Sequence, residues 1–89
     1  MKIFLDIGFD GYISLLGKFD PSNCEHKRLK AALVIVAEEE KNDELVITIL
    51  CELEEANALL EFAKKNCPEA VLDIATSINL SHGQLDHGD

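Results

Sequence analysis

The stretch LKAALVIVAEEEKNDELVITILCELEEANALLEFAKKN, residues 29–66, decides the fold, because it contains the patterns of strand, turn, strand and helix in direct succession. Leu29–Ala37 and Leu45–Leu53 are nearly all apolar, and the residues between them are polar turn formers. Two such runs around a polar turn predict a β-hairpin. A helix through the first run is disfavoured, because the consecutive β-branched residues 34–36 lose side-chain freedom in a helix.

Both faces of the predicted hairpin are apolar. Val34 alternates with Ile35 in the first strand, and Ile49 alternates with Leu50 in the second. Apolar residues on both sides are typical of strands inside a sheet that is covered, at least in part, on each face. We expect a helix of this chain to cover one face and a second copy of the protein to cover the other.

Residues 54–66 predict the main helix. Their apolar residues recur at steps of three and four and form one stripe. Glutamates open the segment and lysines close it, which suits the helix dipole at both ends. Asn66 can take a left-handed cap, and Pro68 ends the helix.

The remaining segments alternate in polarity and predict further strands. Residues 2–8 and 12–19 predict a first hairpin, joined by a three-residue loop with Gly11 left-handed in a bulge. Residues 21–28 predict a short helix or turn, started either by Asp20 with Pro21 or by a capping box of Ser22 with Glu25. Residues 70–80 predict a half-exposed strand.

The fold class that follows is α+β, with a mainly antiparallel sheet of about five strands and one main helix, 54–66, on one face. The element order is β-β-(short α)-β-β-α-β. Without the first strand this order is that of ferredoxin-like domains, which is an analogy of element order only. Residues 1–80 form a single domain in this interpretation, and residues 81–89 form a polar C-terminal tail.

Composition excludes several classes of function. A chain of 89 residues buries only roughly 60–65% of its unfolded surface, so self-association would add stability. The net charge of −9 disfavours binding to nucleic acid or to anionic membranes. No apolar run reaches the length of a membrane span, and no signal peptide is expected. The odd number of cysteines, three, indicates a reducing compartment, and we expect a cytoplasmic protein.

The charge is unevenly spread along the chain. Residues 1–30 contain five Lys or Arg and four Asp or Glu, a balance of +1, whereas residues 31–89 contain three and thirteen, a balance of −10. The one basic cluster is Lys27, Arg28 and Lys30. These three side chains can hold a phosphate near a helix end, but without a glycine-rich loop we favour charge balance against the acidic half.

Cys24 and His26 are the one place where a thiol and an imidazole are near neighbours in sequence. Lys27 and Arg28 beside them would lower the pKa of an exposed thiol and make it nucleophilic. No orienting residue or oxyanion hole is evident, so a cysteine packed under a turn is the simpler interpretation.

Three further clusters have a functional and a structural interpretation. His82, Asp86 and His87 contain metal-binding side chains without a known ligand spacing. The acidic hairpin tip fits a basic partner, but a solvated turn explains it more simply; its members are Glu38, Glu39, Glu40, Asp43 and Glu44. Phe9 and Tyr12 flank the predicted first turn and indicate either an exposed contact site or a cross-strand pair.

No catalytic, cofactor-binding or metal-binding residue is therefore assigned, and no cofactor is expected. The sequence favours a small acidic soluble protein that acts as a non-enzymatic interaction or regulatory module and forms a homodimer. Two alternatives remain open: a small-ligand-binding regulatory domain, and an acidic inhibitor or immunity-type protein that binds a basic partner. Neither nucleic acid nor a membrane is an expected partner.

Overall fold

The computed structural model describes residues 1–87, and the side chains as far as Ser81. Over this range the chain forms three strands and four helices. In chain order these are β1 (Lys2–Gly8), α1 (Phe9–Lys18), α2 (Cys24–Ala32), β2 (Val34–Lys41), β3 (Glu44–Glu52), α3 (Leu53–Asn66) and α4 (Pro68–His87). The α+β class is as predicted, but the prediction of five strands and one main helix is wrong.

The predicted central hairpin is present, but residues 38–41, which were assigned to the turn, belong to its first strand. β2 and β3 pair antiparallel up to Lys41 and Glu44, so only Asn42 and Asp43 form the loop. Their φ angles are 52° and 65°, as a type I′ turn requires at both central positions. Asn and Asp tolerate this left-handed conformation better than most residues, because their short side chains bond locally.

The helix predicted over 54–66 is present as α3, and it begins one residue earlier than predicted, at Leu53. Its buried side chains, Ala56, Leu59, Phe62 and Ala63, follow the predicted apolar stripe. The cap differs, because Cys67 ends the helix by donating its backbone N–H to the Ala63 carbonyl. Asn66 remains helical, and its side-chain amide donates to the Phe62 carbonyl at 3.1 Å.

The sheet has three antiparallel strands in the order β1-β3-β2. β1 and β2 are therefore joined by a crossover that contains α1 and α2, with β3 between the two strands. The ferredoxin-like order needs a further strand after α3, and the described residues contain a helix there instead.

The predicted first hairpin is wrong, because residues 9–18 form α1. Tyr12, Leu15, Leu16 and Phe19 recur at steps of three and four, and all four are buried or half-buried. Ile13, which a strand would place beside Leu15, is exposed on α1. The helical period explains these residues better than the alternation, because one helix face meets the core.

The short helix predicted over 21–28 forms as α2, displaced to Cys24–Ala32. Neither predicted start is used. Asn23 is the N-cap, and its side-chain oxygen accepts the backbone N–H groups of Glu25 and His26 at 2.9 and 3.2 Å. The helix takes in residues 29–32, which the sequence analysis assigned to the following strand.

The strand predicted over 70–80 is wrong, because these residues belong to α4. Ala70, Ile74 and Ile78 are buried at steps of four, whereas Leu72 is 74% exposed. Leu72 and Ile74 therefore do not share a face, as the strand interpretation required. The polar tail predicted over 81–89 stays a prediction: α4 runs to His87, and the side chains after Ser81 lie outside the described part.

The core lies between one face of the sheet, here called the covered face, and the helices. Ile3, Leu5 and Ile7 of β1 and Ile47 and Ile49 of β3 are buried on it. α1 and α3 contact both β1 and β3, α4 contacts β1, α1 and α3, and α2 contacts α3. The opposite face of the sheet is here called the open face.

Candidate functional site

The outer edge of β1 is covered by α4. The backbone N–H of Asp6 donates to the Ser77 hydroxyl at 3.0 Å, and the N–H of Gly8 donates to the Asp73 carboxylate at 3.0 Å. Both are donors that point away from β3, and a strand edge normally leaves such donors free to pair with another chain. Side chains of α4 satisfy them, so this edge is closed to further strands.

The outer edge of β2 is bare. Seven of its eight residues are exposed, and none is buried. Val34, Ile35 and Val36 are 54%, 43% and 47% exposed, although β-branched residues in a sheet are usually packed. Among the residues whose side chains are described, no element covers this edge.

The pairing of the three strands determines which backbone groups of β2 point outward from its free edge. Because Asp6 and Gly8 direct their N–H groups outward, the odd residues of β1 bond β3, and the even residues of β3 bond β2. The β2 partners of these even residues include Val34, Ala37 and Glu39. In the apolar half of β2, Ile35 thus directs its N–H and carbonyl away from the sheet.

The second half of β2 has the features that prevent indiscriminate strand pairing. The register shifts between Ile35 and Ala37, so Val36 is an extra residue in a β-bulge. Three consecutive glutamates then follow, Glu38–Glu40, and all are exposed. A bulge and a run of like charge both oppose edge pairing. The short apolar segment 34–36 is therefore the part of the edge suited to a partner.

The open face combines an apolar row with a polar one. Phe4, Leu50 and Val34 are cross-strand neighbours, and Phe4 is 59% exposed. In the next row the Thr48 hydroxyl donates to the Asp6 carboxylate at 2.7 Å. A cleft of about 600 Å³ lies over this face beside α4. Its walls include Lys2, Phe4, Asp6, Lys41, Thr48 and Leu80.

Cys24 and His26 are close in sequence but have different surroundings. The Cys24 thiol is exposed at the first residue of α2. The His26 ring accepts the backbone N–H of Asp20 through Nδ1 at 2.9 Å and packs edge-on against Phe62, with ring centroids 4.9 Å apart. Phe19 stacks on Phe62 at 4.6 Å. The imidazole thus fastens the start of α2 to α3 and is not held as a base for the thiol.

The other two thiols are enclosed. Cys51 and Cys67 are buried, and all three cysteines are free. Burial raises the pKa of the Cys51 thiol to about 11, helped by the charges of Glu55 and Glu52. A thiol with so high a pKa is protonated at neutral pH and is a poor nucleophile.

The acidic tip and the basic cluster lie on different elements. Glu38–Glu40 belong to β2 itself, and Glu39 is 3.9 Å from the Lys41 ammonium. Lys27, Arg28 and Lys30 lie on α2, where all three are exposed. Lys30 lies in the last turn of α2, so the cluster is not gathered at the helix N-terminus, where a phosphate would bind best.

The aromatic pair predicted at a hairpin turn lies in α1 instead. Phe9 is the first residue of this helix and is exposed, whereas Tyr12 packs against the core. Partial burial raises the pKa of Tyr12, and the nearby charge of Glu38 raises it further. Both the cross-strand pair and the exposed pair at a turn are therefore wrong, because the turn does not exist.

Metal binding finds no support in the described side chains. They contain no group of three or more His, Cys, Asp or Glu residues placed to hold an ion. The side chains of His82, Asp86 and His87 lie outside the described part of the chain.

Sequence reasoning missed the two residues that close the β1 edge, Asp73 and Ser77. They lie four residues apart, and Ser81 follows after four more, so the three form a polar line along one side of α4. That line was a usable signal, but only for a segment already recognised as a helix.

Comparison of the chain with protein-family models, with curated proteins and with solved structures gives no match. Among the described residues, no helix has both the length and the apolar character that crossing a bilayer requires. The geometry of the site is therefore the basis for a functional assignment.

Proposed function

We propose that this protein is a non-enzymatic interaction module that forms a homodimer through the outer edge of β2. Two copies of β2 pair antiparallel, and the two three-stranded sheets become one sheet of six strands. The observation that carries this proposal is the exposure of Val34–Val36 on an unpaired strand edge, in a sheet whose other edge is closed by α4.

Pairing of the two β2 edges would stabilise both the backbone and the side chains. Pairing gives Ile35 hydrogen-bond partners for its outward N–H and carbonyl, and it removes apolar side chains of both copies from water. A chain of 89 residues has a small core, so this added burial matters for its stability. Three free cysteines support a reducing compartment, and we place the protein in the cytoplasm.

Size-exclusion chromatography with light scattering, from about 1 µM to about 1 mM protein, tests the proposal. We expect a concentration-dependent dimer. Ile35→Pro removes the outward N–H at an edge position that tolerates proline, and Val36→Lys adds an edge charge; each should give a monomer. A wild-type monomer over the whole range would contradict the proposal.

Matched controls separate the edge from other exposed apolar positions. Ile13→Lys on α1 and Leu72→Lys on α4 also replace an exposed apolar side chain by lysine, and both should remain dimeric. Phe4→Lys distinguishes the edge from the open face. Loss of the dimer in this variant, with Val36→Lys still dimeric, would move the interface to the open face.

A second candidate function is binding of a small ligand in the cleft beside β1. Its volume, about 600 Å³, lies within the range of known ligand sites, and its walls combine Phe4 and Leu80 with the polar groups of Asp6 and Thr48. A thermal-shift screen against metabolites tests this function. Unchanged melting temperatures across the library would count against it.

A further inference from the structure

The charges of α2 and β2 suit a single register of the proposed dimer. α2 contains Lys27, Arg28 and Lys30 against one Glu25, a balance of +2, whereas β2 contains three glutamates against Lys41, a balance of −2. The two elements are consecutive in the chain. An antiparallel partner strand that extends beyond the first residue of β2 therefore comes close to the basic helix α2.

Register determines which charges meet. If the two β2 strands overlap along their full length, Val34 lies opposite Lys41 of the second copy and Glu38 opposite Ala37, so the two glutamate runs begin next to each other at the axis. Like charges that start this close to the axis repel each other. If the two-fold axis passes beside Ile35 instead, only the apolar segments overlap, and the glutamates of each copy lie three to five residues from the axis, so the two glutamate runs are farther apart.

The second register agrees with the outward backbone groups. Ile35 directs its N–H and carbonyl to the edge, so the two Ile35 residues can exchange a pair of hydrogen bonds across the axis. At about 3.3 Å per residue, Glu38 and Glu40 then lie roughly 10–17 Å from the axis. Ala32, where α2 ends, is three residues from Ile35 on the other strand, so the glutamates reach the end of the partner's helix.

The side chains of Glu38 and Glu40 lie on the same side of the sheet as the helices. Glu38 pairs with Ile47 and Glu40 with Leu45, so both glutamates are on the covered face, and Glu38 is close enough to Tyr12 to raise its pKa. In an antiparallel edge dimer with its axis perpendicular to the sheet, the helices of both copies lie on one side.

The three basic side chains of α2 are exposed, but they do not share one face of the helix. Arg28 and Leu29 line the groove between α2 and α3, whereas Lys27 and Lys30, three residues apart, share a different face of α2. Lys27 and Lys30 are both exposed and do not line this groove, so neither is engaged within the monomer.

We infer that two copies pair β2 antiparallel about Ile35, with Glu38 and Glu40 of each copy against Lys27 and Lys30 of the other. This inference rests on the proposed function and adds its register and its specificity. A chain of net charge −9 repels its own copies in most orientations, so the orientation that joins acidic strand to basic helix is selected.

Charge reversal tests the inference with two variants. Glu38→Lys with Glu40→Lys makes the strand basic, and Lys27→Glu with Lys30→Glu makes the helix acidic. In either homodimer both contacts become repulsive, and we expect the dissociation constant to rise about tenfold or more at low salt. In an equimolar mixture every contact pairs opposite charges, so a heterodimer should form with an affinity within about threefold of the wild type.

The matched control lies on the same strand. Glu39 pairs with Val46 on the open face, between the two tested glutamates. Glu39→Lys with Glu61→Lys changes the net charge by the same amount as the strand variant, and Glu61 lies on α3. We expect this control to change the dissociation constant much less than the strand variant does. Light scattering and native mass spectrometry of each sample give the species present.

The outcomes separate the inference from the proposed function. A wild-type monomer would overturn both. A wild-type dimer that is lost in Ile35→Pro, together with no heterodimer in the mixture, would overturn the register and keep the edge interface. Equal weakening by the Glu39 control and the strand variant would also overturn the register, because net charge would then explain the effect.

Discussion

The two outer edges of the sheet differ in how they are covered. β1 has its outward N–H groups bonded by Ser77 and Asp73 of α4, whereas β2 exposes seven of eight residues and leaves its outward groups free. Unpaired strand edges promote association, and proteins usually cover or charge them. The β1 edge is thus protected from pairing with another strand by a whole helix. The β2 edge is protected only from Val36 onward, by a bulge and three glutamates.

The largest effect is expected from removing the contact of α4 with the core. Ile74 is completely buried, and Ile74→Ala should lower the free energy of unfolding by about 2–5 kcal/mol, since it removes apolar burial and leaves a cavity. Urea denaturation measures the change. Leu72→Ala on the same helix is the control and should shift stability by less than about 0.5 kcal/mol. Equal effects would mean that α4 does not pack as described.

The next effect concerns the hydrogen bond that closes the β1 edge. Ser77→Ala leaves the Asp6 N–H without its partner and should cost about 1–3 kcal/mol, because a part-buried donor is then unsatisfied. Hydrogen exchange of the Asp6 amide should become faster. Thr76→Ala, on the exposed side of α4, is the matched control, and the account is contradicted if both variants leave the Asp6 amide equally protected.

A smaller effect is expected at the turn that fixes the register of the bare edge. Asp43 has φ 65°, where β-branched residues are strained, so Asp43→Val should destabilise by about 1–2 kcal/mol. Asp43→Gly is the paired variant and should not destabilise, since Asn-Gly is the favoured type I′ sequence. Thermal unfolding followed by circular dichroism compares them. A valine variant as stable as the glycine variant would show that the turn is of another type.

The smallest effect at neutral pH concerns the covered face between the edges. Because the pKa of Cys51 is raised from 9.0 to about 11, its contribution to stability is constant below pH 9 and is lost as the pH rises from 9 through 11. Iodoacetamide at pH 8 should label Cys24 much faster than Cys51 or Cys67. In Cys24→Ser, fast labelling should vanish, and fast labelling of Cys51 in that variant would mean that the covered face is open.

The hairpin and α3 could be predicted from the sequence because, in each, all local features favour the same secondary structure. Val34–Val36 and the Asn42–Asp43 pair favour strand and turn, and residues 54–66 combine an apolar stripe with charges suited to the dipole. In both segments the local sequence preferences agree with the structure that the tertiary contacts require.

The first hairpin and the last strand were wrong because apolar residues at two-residue steps also occur by chance within a helical pattern. Leu72 and Leu80 completed an apparent strand face, yet both are exposed on α4. Ala70, Ile74 and Ile78 have the spacing that decides the element. The bare edge of β2 could not be predicted from these wrong assignments, because the number of strands determines which strand is outermost. Both strands of the hairpin were expected inside the sheet, with a second copy over one face, whereas β2 lies at an edge.

Amide hydrogen exchange at low and high protein concentration distinguishes a covered β1 edge from a β2 edge that pairs with a second copy. We predict that the amides of Asp6 and Gly8 exchange slowly at every concentration, because side chains of α4 accept their hydrogen bonds within each copy. The amide of Ile35 should exchange fast in dilute protein and become protected as the concentration rises. Fast exchange of Ile35 at all concentrations, beside a protected β1 edge, would contradict association through β2.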